Sequence, residues 1–320
     1  MMIKEIINMI MKSNKIAITF HESPDGDSLG SSLALLNALR SINKCAYIIC
    51  KENIPETFEY LALSQEIDGS CSKILEGTDC LITLDCGSIA RLNCNVDFSN
   101  RTFSLINIDH HISNDKFGDI NYVDPGAASV GEIIYKLIKE MKIDINTDIA
   151  ICIYTSILTD TGSFRHSNTT YTTHDIVSDL MKNIDFDFSL VHRKIFDNKK
   201  LPIIKLQGLV INNLYLACDG KVCVMKLTQE MLREVGLQQC DSAEFMSLGL
   251  KISSVEAAVL IKEKDKGIKA SLRSNEYVDV RKIAENYGGG GHIRAAGLSM
   301  DVSVNQAEKL LIKDFQKELR

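Results

Sequence analysis

Lys15-Ile16-Ala17-Ile18-Thr19-Phe20 runs directly into His21-Glu22-Ser23-Pro24-Asp25-Gly26-Asp27-Ser28, and this junction decides how the chain is read. The first six residues have the apolar character of a strand buried on both faces. The next seven positions carry a histidine and three acids, followed by a helical pattern over 28–41. Two more apolar runs stop in the same way. Residues 80–84 lead into Asp85-Cys86-Gly87, and 104–108 into Asp109-His110-His111. Residues 46–50 supply a further strand, and 55–63 and 70–77 read as helices. This alternation predicts right-handed βαβ units and an α/β domain with a mostly parallel sheet flanked by helices.

Strand C-termini of such a sheet share one edge, and ligands bind there. His21, Asp25, Asp27, Asp85, Asp109, His110 and His111 would therefore meet although the sequence spreads them far apart. Asp160, ending a helix candidate at 147–159, would complete the cluster. Ser129-Val130-Gly131-Glu132 is a capping-box sequence opening a helix to about residue 141, and 172–183 reads as another helix. Clustered carboxylates repel and must be neutralised by protons or cations. Oxygen-rich ligands with one histidine per metal suit Mn²⁺, or else Mg²⁺, better than zinc. Two such ions about 3.5–4 Å apart lower the pKa of a shared water and clamp a phosphoryl group. Each piece alone has a plainer reading: Asp25-Gly26-Asp27 as a turn with an N-cap, Asp160 as a helix end. Their joint placement favours a two-metal phosphoesterase.

The 320 residues, 45% of them apolar, suffice for two cores. A net charge of -6 argues against long duplex nucleic acid as a partner but allows a short anion in a local pocket. With no tryptophan, a stacking platform for long single strands is poorly supported. Ten cysteines without a C-x-x-C pair fit buried thiols in a reducing, cytoplasmic setting. No apolar run nears the roughly 18 residues of a membrane span, so no membrane partner is expected. Ile3, Ile6, Ile7 and Ile10 form an amphipathic helix stripe, not a signal peptide.

The character changes after about residue 184. Residues 1–187 are assigned to the catalytic domain, 188–212 to a connector, and 213–320 to a smaller α+β domain, with an active-site cleft expected between the two. Asp219-Gly220 is a hairpin signal between strand candidates 214–218 and 221–227, and further strands are expected at 257–262 and 268–273. Gly288-Gly289-Gly290-Gly291-His292-Ile293-Arg294-Ala295-Ala296-Gly297 follows. Such glycines let backbone N–H groups turn toward an anion, and His292 and Arg294 add charge beside them. The plainer reading is a flexible turn before a short helix of small residues. Arg165 and His166 read equally as substrate contacts from the rim or as a solvated loop, whereas Arg91 reads as structural.

His21-x-x-x-Asp25-Gly26-Asp27, Asp85-Cys86-Gly87, Asp109-His110-His111 and Thr159-Asp160-Thr161-Gly162 together resemble the four motifs of the DHH phosphoesterases. The glycine run, with Ala270-Ser271-Leu272-Arg273-Ser274, resembles the DHHA1 domain. Motif order and length are closest to the bacterial nanoRNase/pAp phosphatases. The resemblance implies that His21 and Asp25 hold one Mn²⁺, that Asp27, His110 and Asp160 hold a second, and that Asp85 bridges them. His111 would contact the scissile phosphate, with Asp109 orienting the ligands. Gly289, Gly290, Gly291, His292, Arg294 and Arg273 would grip the substrate. The implied activity is hydrolysis of short single-stranded RNA of about two to five nucleotides, and removal of the 3′-phosphate of pAp. Hydrolysis of pApA or pGpG is the alternative, and a homodimer stays open as an assembly. A family II pyrophosphatase would carry a different second domain. A catalytically silent nucleotide-binding regulator would be marked by a lost ligand, and none is lost.

Overall fold

The computed structural model describes residues 2–99, 101–240 and 243–319. Its contacts divide the chain into Met1–Asn198 and Lys199–Arg320, a division falling inside the 188–212 segment.

The first unit runs α1 (Met2–Lys12), β1 (Lys15–Thr19), α2 (Gly26–Ser41), β2 (Cys45–Ile48), β3 (Cys80–Leu84), β4 (Ser104–Asp109) and β5 (Ile120–Val123). Then come α3 (Val130–Glu140), α4 (Thr147–Asp160), α5 (Tyr171–Asn183) and the short α6 (Phe188–His192). All five strands are parallel, in the order β2-β1-β3-β4-β5. The chain goes to one side of β1 for β2 and to the other for β3. The C-terminal ends of β1 and β3 thus form the crevice where open α/β sheets bind ligands. His21 follows one end and Asp85 the other.

Three local features differ from the sequence reading. Residues 55–63 and 70–77 are not helices; the first holds only the 3₁₀ turn Glu56–Phe58, the second holds none, and a further 3₁₀ turn, Ser64–Glu66, lies between them. Pro55, Leu63 in a left-handed conformation (φ 64°), and Gly69 and Gly77 at positive φ interrupt any longer helix. Helices α1–α6 contribute to the core on one sheet face, together with Phe58, Leu61 and Ile67. The other face, with Ala17, Leu81 and Leu105, is covered by Cys94, Phe103 and neighbouring non-helical segments. Second, β5 is a half-buried edge strand of four residues, too short and too polar at Asn121 to show as an apolar run. Third, Ser129 begins α3 without a side-chain cap. Its hydroxyl instead meets Ser156 Oγ at 3.1 Å, and Glu132 accepts from Thr173 Oγ1 at 2.6 Å. All four side chains are buried, so tertiary partners displaced the local ones.

The second unit comprises α7 (Leu201–Asn212), β6 (Tyr215–Ala217), β7 (Val222–Leu227), α8 (Gln229–Glu234), α9 (Ala243–Leu250), β8 (Ala257–Glu263) and β9 (Ile268–Ser274). It ends with α10 (Val280–Glu285), β10 (Gly290–His292), β11 (Ala295–Met300) and α11 (Val304–Glu318). The sheet order is β10-β11-β9-β8-β7-β6. One face buries Val224, Val259, Ala270 and Leu298 against Ile283, Leu311 and Phe315. On the opposite face Met225 and Leu260 are covered by Leu206, Val210 and Phe245. The strand residues of this second cluster come from β7 and β8.

Candidate metal centre

The centre is built at the sheet edge of the first unit. Asp25 is the N-cap of α2: its Oδ1 accepts from the amides of Asp27 (3.1 Å) and Ser28 (3.0 Å), and Ser28 returns a bond to the Asp25 amide. The capping role and a candidate ligand position fall on one carboxylate, because Asp25 Oδ1 also lies 3.6 Å from His21 Nε2. His21 Nε2 is 3.2 Å from Asp85 Oδ2. Across the crevice, His110 Nε2 is 3.2 Å from Asp160 Oδ2, 3.7 Å from Asp27 Oδ2 and 3.7 Å from Asp85 Oδ1.

Two compact groups result, His21–Asp25–Asp85 and Asp27–His110–Asp160, and a third joins Asp85 to His110 and His111. Donors about 2.1 Å from one six-coordinate ion stand about 3 Å apart at right angles, so these separations suit divalent cations. Asp85 reaches both groups, and its buried Oδ1 accepts no hydrogen bond among the described residues. An unpaired buried carboxylate oxygen beside two imidazoles is the mark of a position that expects a cation. Asp85 also sits at φ 53°, a left-handed conformation that aspartate tolerates better than most residues.

The electrostatics agree. Burial, then Asp85 and Asp25, push Asp160 up to about 8. Burial, then Asp85 and Asp160, carry Asp27 well above the usual carboxylate range, and burial raises Asp85 as well. Burial opposes charge on His21, yet the hydrogen bonds to Asp25 and Asp85 outweigh it and lift the ring to about 10. Without cations the centre therefore holds protons.

Asp109, fully buried, accepts from His111 Nδ1 at 2.7 Å and from the amides of His110 and His111 at 2.7 and 3.2 Å. Asn114 donates to its other oxygen at 2.6 Å. The imidazole of His111 is thereby fixed with a proton on Nδ1. Arg165 and His166 are exposed on the turn after α4. His166 Nδ1 lies 3.1 Å from the Asp160 carbonyl, and Arg165 Nε donates to the Gly162 carbonyl at 2.7 Å.

Sequence reasoning missed the support of Asp27. Its Oδ2 accepts from Val130 N (2.8 Å), and its Oδ1 from Gly131 N (3.2 Å) and Ser156 Oγ (2.5 Å). The first amides of α3 thus cradle the carboxylate. No local pattern could reveal a bond spanning more than a hundred residues. A Cβ at Gly131 would lie 2.0 Å from Ser156 Oγ. Gly131→Ala should therefore destabilise the protein by about 1–3 kcal/mol through overpacking. A thermal melt within a degree of wild type would show that α3 and α4 are free to move apart.

In the second unit the glycine run is a β-hairpin, neither a free turn nor the start of a helix. A Cβ at Gly289 would stand 2.3 Å from Gly297 O, and at Gly291, where φ is 143°, 2.4 Å from Ala295 O. These two glycines serve the hairpin's close approach. Gly290 faces open space. Cross-strand pairing sets Arg273 opposite Ala295 and Ala295 opposite His292, so Arg273 and His292 share one sheet face with Gly290 and Gly297, on which His292 and Gly290 are exposed. Arg273 is half buried and donates to Leu272 O at 3.0 Å. Arg294, on the turn between β10 and β11, spends one nitrogen on Val278 O at 2.8 Å.

A parallel sheet with carboxylates and imidazoles gathered at its switch point is a site that could hold divalent cations, as metal-dependent hydrolases do. Residues 15–157 match the DHH family, N-terminal domain, and 219–320 match the DHHA1 domain. The bifunctional oligoribonuclease and PAP phosphatase NrnA of Thermus thermophilus is 30% identical over 95% of this chain and 90% of its own length. A probable bifunctional oligoribonuclease and PAP phosphatase NrnA of Streptococcus mutans is 31% identical over 99% and 97%. The crystal structure of an exopolyphosphatase-related protein from Bacteroides fragilis superposes with a TM-score of 0.88 at 26% identity, covering 98% of this chain and 96% of that one. The chain belongs to the DHH family of phosphoesterases, with a DHHA1 domain following the DHH domain.

Proposed function

We propose that the protein is a Mn²⁺-dependent phosphoesterase that hydrolyses RNA of about two to five nucleotides to mononucleotides and removes the 3′-phosphate of pAp. The observation that carries this reading is Asp85, shared by two ligand groups and left with an unpaired buried oxygen. The names of the Thermus and Streptococcus relatives support the substrate class. His21, Asp25 and Asp85 would hold one divalent cation, and Asp27, Asp85, His110 and Asp160 the other. When bound, the ions supply charge neutralisation at the phosphoryl group and activation of water. Asp109 orients His111 through Nδ1–H and raises the pKa of the ring, so the imidazolium of this half-exposed side chain can present a second N–H, at Nε2, to a phosphoryl oxygen. Arg165 and His166 add donors at the rim. Residues 1–187 and 213–320 are proposed as the catalytic and substrate-holding domains.

On one sheet face of the second unit, Arg273 and His292 flank bare backbone at Gly290 and Gly297, and Arg294 retains donors beyond the one given to Val278. This surface suits a phosphate or a terminal nucleotide. Arg273→Ala should raise KM for pAp about 10–100-fold, the cost of a lost charge-assisted hydrogen bond. An unchanged KM would remove Arg273 from the substrate site. None of the ten cysteines is in a disulfide, which supports a reducing, cytoplasmic setting, and no helix among the described residues is long and apolar enough to cross a membrane.

Linear dinucleotides such as pApA are a second reading. A cyclic-di-AMP phosphodiesterase of Listeria monocytogenes is 26% identical over 95% of this chain and 48% of its own length, and favours it. A rate panel with Mn²⁺ on pAp, pApA, pGpG, pyrophosphate and oligomers up to ten nucleotides tests both. Turnover of pyrophosphate alone, or of nothing, would overturn them.

A further inference from the structure

Asp27 is the most enclosed of the proposed ligands, with no exposure, and its two oxygens are not equivalent. Oδ2 faces His110 Nε2 at 3.7 Å and takes one amide bond, from Val130. Oδ1 takes Gly131 N and, at 2.5 Å, the hydroxyl of Ser156. A serine hydroxyl has a single proton and two acceptor positions. Around Ser156 Oγ, the Gly131 amide at 2.9 Å can only donate, so the one hydroxyl proton is left for Asp27 Oδ1 at 2.5 Å or Ser129 Oγ at 3.1 Å. The carboxylate offers the shorter, charge-assisted contact, so the Ser156 proton goes to Asp27 Oδ1. Ser129 and Ser156 are themselves fully buried, which leaves no water to replace that bond.

We propose that Ser156 makes Asp27 a one-oxygen ligand and thereby sets the centre's preference for Mn²⁺ or Mg²⁺ over Ca²⁺. The inference rests on the metal-centre reading above and adds to it the origin of its selectivity. Mg²⁺ demands near-octahedral geometry with short bonds, whereas Ca²⁺ takes six to eight oxygens at about 2.3–2.6 Å and often uses both oxygens of a carboxylate. With Oδ1 occupied from behind by a hydroxyl and an amide, Asp27 cannot turn its second oxygen toward a larger ion. Removing the hydroxyl frees that rotation.

Ser156 acts through Asp27 and is a positioning residue, so the test reads metal binding and not turnover alone. Metal-free, full-length wild type, Ser156→Ala and Ser156→Cys are titrated with Mn²⁺ and, separately, Ca²⁺, by calorimetry and by electron paramagnetic resonance of free Mn²⁺. The cysteine variant fills the space with a weak donor and guards against a folding defect in the alanine variant. The expected result is a loss of Mn²⁺ affinity of about 10–100-fold, the usual effect of removing a group that supports a ligand. Ca²⁺ affinity should stay level or rise, so the Mn²⁺-to-Ca²⁺ ratio collapses by at least about tenfold. A ratio unchanged in both variants overturns the role of Ser156 and leaves the metal centre standing. A wild-type protein that binds no Mn²⁺ overturns the metal centre itself.

Discussion

Asp85→Asn should reduce Mn²⁺-dependent hydrolysis by about 10³-fold or more, beyond the 10–100-fold typical of losing a residue that merely supports a ligand. The substitution keeps the shape of the side chain and suits the left-handed backbone at φ 53°. It removes the one carboxylate that reaches both His21 (3.2 Å) and His110 (3.7 Å). Both proposed cation positions lose a charge at once, and with it the neutralisation that allows an anionic phosphoryl group to approach. Stability should move the other way. Burial raises the pKa of Asp85, so its ionised form is disfavoured in the metal-free fold. The metal-free variant should melt at or above the wild-type temperature. Residual activity above about a tenth of wild type would remove Asp85 from its bridging role. A collapsed melting temperature would instead show that the carboxylate holds the fold together without metal.

The cluster of candidate ligands was legible because the signal is local: an apolar run halts, and an acid or a histidine follows. Thr19 to His21, Leu84 to Asp85 and Ile108 to Asp109 all show it, and parallel pairing then gathers distant positions at one edge. What supports those ligands was not legible. Ser156 and Gly131 look like ordinary helix residues until α3 and α4 are packed, and Ser129-x-x-Glu132 is a capping box whose members found better partners elsewhere. Residues 55–63 and 70–77 carry apolar positions that suit helices, but Pro55 and the positive-φ residues Leu63, Gly69 and Gly77 break them, while Phe58, Leu61 and Ile67 still join the core. In the glycine run, four identical residues conceal different duties. Gly289 and Gly291 permit close strand approach, whereas Gly290 leaves bare backbone exposed.

Metal affinity should climb steeply with pH, and the stability of the metal-free protein should fall over the same range. Asp160 keeps its proton up to about 8 in the fold, against about 3.9 for an unfolded aspartate. Between those values the folded chain binds a proton that the unfolded chain has released, so stability declines as pH rises through the window. His21 adds to the trend. Its ring stays charged in the fold up to about 10, so its contribution is complete below about 6.5 and is lost as pH passes through the folded value. Divalent cations must displace these protons. One displaced proton makes affinity rise about tenfold per pH unit, or about 2.7 kcal/mol between pH 6 and 8. Melting temperatures in chelator should therefore drop with rising pH while those in saturating Mn²⁺ hold or climb, and the gap between the two should widen. Calorimetric titrations in buffers of different ionisation enthalpy should register proton release at pH 6 and less of it at pH 9. A gap independent of pH would mean that the carboxylates are already ionised in the empty centre, and that something other than bound protons keeps four acids together at the end of this sheet.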